Sequence, residues 1–163
     1  MNGSFRVVED AYREELTDFI SQCFDAEKLK QTQERIVTKA IDQYFSWKKE
    51  VLADGVTMIP EMEAIWLKEK LRHKQHLDNA GIQWIDSSYT IQEIKFWDRE
   101  YADILLAETV TYSINGEIKQ ETIQHEMGVV GVQGAAQVCG DAYFEEFSDF
   151  RSNDYIGATI FPD

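Results

Sequence analysis

The sequence predicts an α+β domain, with three N-terminal helices packed on a curved antiparallel sheet of about four strands. Three observations predict it. Apolar residues recur at steps of three and four up to Gly81 and at steps of two afterwards. Asn115-Gly116 stands between two alternating runs, a strong signal for a two-residue hairpin turn. Helices come first and strands follow, the order of α+β rather than of alternating α/β folds.

The first helix rests on Val8, Tyr12, Leu16, Phe19, Ile20 and Phe24. A second is predicted from about Ala26 to Leu52, on Leu29, Ile36, Val37, Ala40, Ile41, Tyr44, Phe45 and Val51, with Asp54-Gly55 as its stop. Pro60 is placed at the first turn of a third helix, with Glu61 and Glu63 at the positive end of the dipole. Met62, Ile65, Trp66, Glu69 and His73 share one broad face, while Lys68, Lys70, Arg72 and Lys74 are cations in the later turns. An extended stretch then opens at Gln83-Trp84-Ile85. Tyr89 and Ile91 share one parity and Ile94 and Phe96 the other, so a β-bulge is expected near Gln92-Glu93. Ile104 to Ile114 alternates cleanly. The returning strand runs from about Glu117 to Val132, Gln133-Gly134 turns, and Ala135 to Phe147 is the last strand. Residues 1–150 read as one domain and 151–163 as a tail or linker. A bulged sheet curving around helices forms a cone, and a cone with helices at its mouth encloses a pocket.

The chain has 163 residues, 44% of them hydrophobic, which suits one core. Its net charge of −14 repels phosphates and excludes a general nucleic-acid binder. No apolar run reaches the roughly 18 residues of a membrane helix, so no membrane insertion is expected. The charge is uneven: residues 1–81 sum to 12 − 15 = −3 and residues 82–163 to 4 − 15 = −11. Two readings of that second half stand: a sheet whose outer face is solvated by carboxylates, or a surface shaped for a basic partner. Cys23 and Cys139 form no CxxC pair, so zinc has no support. They are read as two buried thiols or as one disulfide. Met1-Asn2-Gly3-Ser4 lacks the basic and apolar regions of a signal peptide. The chain is therefore cytoplasmic if Met1 is the true start, or a piece of a longer exported chain.

Residues 60–147 resemble a known region. A basic-tinged helix (Leu67 to His76) leads into an extended segment (Trp84 to Phe96) and a long strand (Ile104 to Tyr112). After the hairpin come His125-Glu126-Met127, the Gly134 turn and Val138-Cys139-Gly140-Asp141-Ala142-Tyr143. The arrangement resembles the NTF2-like (cystatin-like) superfamily. More narrowly, it is similar to the N-terminal region of exported Gram-positive proteins that carry an amidase-type domain further on. Relatives have Trp just after the Gly turn; Ala136 stands there, which implies a smaller core at that corner. The resemblance implies an accessory or binding domain in an extracytoplasmic setting, not an amidase.

Candidate chemistry is sparse. Glu69, His73 and His76 have helical spacing but no nameable further ligand, so no metal is assigned and no cofactor is implied. His125 and Glu126 are neighbours on a strand and point to opposite faces, so His125 is the candidate to line the cone. Asp141 and Tyr143 share a face, as a proton-transfer pair on this fold would. Tyr44, Trp66, Trp84 and Phe96 join His125 as the expected pocket wall. Phe144, Glu145, Glu146, Phe147 and Asp149 mix aromatic and acidic side chains, a pattern that selects a basic partner. The leading expectation is a non-catalytic binding domain with an acidic sheet surface. The alternatives are an isomerase-like enzyme using Asp141, Tyr143 and His125, or an acidic immunity-type inhibitor of a basic protein. The partners admitted are a basic protein, a ligand in the cone and a second copy of the chain.

Overall fold

From Ser4 to Leu52 the sequence contains neither glycine nor proline, and strong helix formers fill Ala26 to Gln31. The computed structural model accordingly shows one helix, α1 (Asn2–Leu52), where two were expected. A change in hydrophobic phase near Phe24 is not enough to break a helix without a turn-forming residue. The structure describes residues 2–97, 100–132, 134–143, 146–147, 150–151 and 156–159, with side chains for 26–97, 100–132 and 134–143. The chain divides into two compact units, 1–35 and 36–163. The first is helical from Asn2 onward. The second contains everything that follows.

Pro60 does not start the next helix. Residues 59–62 close a turn through Met62 N–H to Ile59 C=O, which buries Ile59 and Met62. Glu63 is still extended, with φ −57° and ψ 137°, and α2 runs Ala64–Asn79. Its buried stripe is Trp66, Glu69, Lys70, His73 and Leu77. Ile65, expected on that stripe, is exposed, and Lys70, expected among the solvated cations, is inside.

Four long strands follow: β1 (Ile82–Phe96), β2 (Tyr101–Ile114), β3 (Glu117–Val130) and β4 (Gln137–Tyr143). Short pieces are β5 (Glu146–Phe147), β6 (Phe150–Arg151) and β7 (Ile156–Thr159). The main sheet is antiparallel in the order β1-β2-β3-β4-β7, and β5 pairs with β6 alone. Part of the stretch read as a tail is thus an edge strand on β4. Asn115 and Gly116 both take positive φ, as a type I′ turn needs. β1 is bulged at the expected place, between Ile91 and Glu93, and again between Trp84 and Asp86.

Register assigns the faces. Leu106, His125 and Tyr143 stand in one inward row, Ile104, Met127 and Asp141 in the next. Against them α1 sets Ile41, Tyr44, Phe45 and Lys48, and α2 sets Trp66, Lys70 and His73, all buried. The outward face is mostly uncharged: Ser88, Thr90, Ala107, Thr109, Thr111, Gln120, Thr122 and Gln124. On that same face the carboxylates Glu93, Asp103 and Glu126 gather near the start of β2.

Candidate functional site

Three carboxylates and two lysines are buried between the helices and the sheet, an arrangement that must be paired to exist. One turn of α1 places Tyr44 and Lys48 on the same inward side. Lys48 Nζ donates to Glu108 Oε1 at 2.7 Å. His125 faces Glu108 Oε1 through Nε2 at 2.9 Å and Asp141 Oδ1 through Nδ1 at 2.7 Å. Tyr44 donates its hydroxyl proton to Asp141 Oδ2 at 2.6 Å. Lys70 Nζ lies 3.9 Å from the same oxygen and 3.0 Å from Glu69 Oε2, the latter off hydrogen-bond geometry. Tyr143 completes the cluster: its ring is 4.4 Å from that of His125, and its hydroxyl is 3.3 Å from His73 Nδ1.

A histidine that bonds a carboxylate at each ring nitrogen donates from both, so it is the imidazolium. Burial alone would lower the His125 pKa, but Asp141 and Glu108 outweigh burial and hold it above its ordinary value. Burial would raise Asp141, yet the charge of His125, helped by Lys70 and Tyr44, keeps it below the usual carboxylate range. Glu108 is likewise held down against burial by Lys48 and His125.

Sequence reasoning named His125, Asp141 and Tyr143, and the structure places them on one face of adjacent strands. The same reasoning did not find Lys48, Lys70 or Glu108, whose residue types are ordinarily solvated. One signal was available: Glu108 sits at an inward position of a strand that otherwise alternates. Of the expected pocket wall, Tyr44, Trp66 and Trp84 are core residues, Phe96 packs against them and His125 is buried. Among the described residues these side chains are packed in rather than open to solvent: His125 is 0% exposed and Asp141 3%. Glu69 and His73 do face inward together, while His76 is exposed, and among the described residues no metal-ligating group forms. The side chains of Phe144, Glu145, Glu146, Phe147 and Asp149 lie outside the described residues, as does that of Cys23. Cys139 is a free buried thiol, and burial pushes its pKa up to about 11.

Openings lined by described residues lie on both faces of the sheet. A cleft of about 60 Å³ sits at the Ala136 corner, lined by Tyr44, Trp47, Trp66 and Val138. A groove of about 510 Å³ runs between α1 and β1 and is lined by Asp42, Lys49, Asp86 and the rings of Phe45 and Tyr89. Those two rings stack at 4.9 Å, and Phe45 meets His125 edge-on. A third opening of about 280 Å³ lies on the outward face of the sheet, beside Trp97. The fold is α+β, and no described helix is long and apolar enough to cross a membrane. No family model, curated protein or solved structure matches the chain.

Proposed function

We propose that this chain is a non-catalytic binding domain of NTF2-like type from an exported bacterial protein, engaging its partner through outward-facing surface. One observation carries the first half of that reading: both ring nitrogens of His125 are committed, to Glu108 and to Asp141. A general base needs a free lone pair within reach of substrate, and a general acid needs a proton it can deliver. His125 has neither. The cluster braces the helices against the sheet. The acidic composition supports the second half, because it favours a cationic partner and fast, salt-sensitive association.

Diethyl pyrocarbonate labelling with peptide mass mapping tests the reading. The folded protein is expected to be modified at exposed His76, with His125 and His73 protected until the chain is unfolded. Labelling of His125 at the rate of His76 would mean an open imidazole and would overturn the non-catalytic assignment.

A further inference from the structure

Trp97 is 59% exposed, yet its ring is fixed. Its indole N–H donates to Asp103, whose other oxygen accepts from Tyr101 at 2.6 Å. The Tyr101 ring fits there because Gly128 has no side chain: a Cβ on Gly128 would fall 2.8 Å from the Tyr101 hydroxyl. Lys95 Nζ lies 4.0 Å from the centre of the Trp97 ring, so the ring already holds a cation. In the neighbouring register row Glu93, Leu105 and Glu126 stand side by side across three strands. Glu93, Lys95, Trp97, Asp103, Leu105 and Glu126 line the outward groove of about 280 Å³.

We infer that this groove docks an arginine-bearing segment of a basic protein. The inference rests on the binding-domain reading and names the partner's chemistry. Among the described residues, three carboxylates against one lysine leave the groove acidic. A guanidinium stacks on an indole and forks onto carboxylates, uses that a neutral glycan has no means to match. Leu105, 37% exposed, gives an aliphatic neighbour its contact. A ring already held by Asp103 loses little freedom on docking, which favours affinity.

Isothermal titration of the full chain with an Arg-Leu repeat peptide tests this, with a citrulline-for-arginine peptide as the neutral control. Saturable binding is expected at low salt, weakened about tenfold or more by raising ionic strength, since surface charges are screened. Trp97→Ala, which changes no charge, should weaken binding about tenfold, the loss expected of an anchoring aromatic. Glu93→Gln and Glu126→Gln should weaken it comparably. Asp54→Asn and Glu117→Gln, away from the groove, should leave it unchanged. Circular dichroism checks that Trp97→Ala is folded, as an exposed ring predicts. The inference is overturned by absence of binding, by equal binding of the citrulline peptide, by an indifferent Trp97→Ala, or by equal losses at the distant sites. Those results leave His125 protection untouched, so the binding-domain reading fails only by its own test.

Discussion

His125 and Asp141 stand on adjacent antiparallel strands, with Nδ1 2.7 Å from Oδ1, in a setting that solvent does not reach. The pair is not in direct cross-strand register. Asp141 lies opposite Met127, and His125 opposite Tyr143. The contact is therefore diagonal, and it leaves Asp141 Oδ2 for Tyr44 on α1.

Breaking the cluster at its edge should cost as much as breaking it at its centre. Lys48→Met leaves Glu108 buried with one fewer cation. Removing one partner of a buried ion pair costs about 3–5 kcal/mol. Urea unfolding of the variant should show that loss, and a change below about 1 kcal/mol, the range of a surface pair, would place Lys48 in solvent.

Stability should fall on both sides of neutrality, for opposite reasons. Asp141 and Glu108 have depressed folded pKa values, so their contribution is present above the unfolded values of about 4 and is lost as pH drops through the folded ones. His125 is raised, so its contribution is complete below about 6.5 and is lost as pH climbs through its folded value. Melting temperatures across the pH range should trace a dome. A flat alkaline limb would mean that His125 is neutral in the folded protein.

The corner left by Ala136 should accept more side chain. The cleft of about 60 Å³ there is walled by Trp47, Trp66 and Val138. Ala136→Leu should stabilise by about 0.5–2 kcal/mol, as cavity-filling changes commonly do. Differential scanning calorimetry reads the sign; a lowered melting temperature would show that the cleft cannot be filled.

Gly131 should tolerate no side chain. Its φ is +78°, and a Cβ would lie 2.6 Å from the backbone oxygen of Ala135. Its N–H also donates to Glu100 C=O, closing the end of the β2–β3 pair. Gly131→Ala should cost more than the 1 kcal/mol or so of a compatible backbone change. Chemical denaturation at the level of wild type would show that the turn relaxes freely.

Much of the sheet was legible because alternation and turn chemistry are local. Asn115-Gly116 fixed one hairpin, and the parity slip between Ile91 and Ile94 located a bulge. The helices were read less well. Phase suggested a break near Phe24 that backbone propensity overrode, and the bias for proline at a helix start misplaced Pro60. That Asp141 and Tyr143 share a face with His125, in two adjacent rows, followed from strand parity. Lys48 and Lys70 could not, since a helix surface gives lysine the same residue spacing whether it meets water or a buried carboxylate.

The ties of the buried cluster join distant stretches of chain: 60 positions separate Lys48 from Glu108 and 97 separate Tyr44 from Asp141. Contacts this remote form only after the intervening loops have closed, so the brace belongs to the last stage of assembly. Its charges then act as a latch on escape rather than as a guide to entry. Weakening it at Tyr44 with Tyr44→Phe should hasten unfolding and leave refolding nearly unaltered. A chevron whose folding arm moved instead would put the cluster in the nucleus.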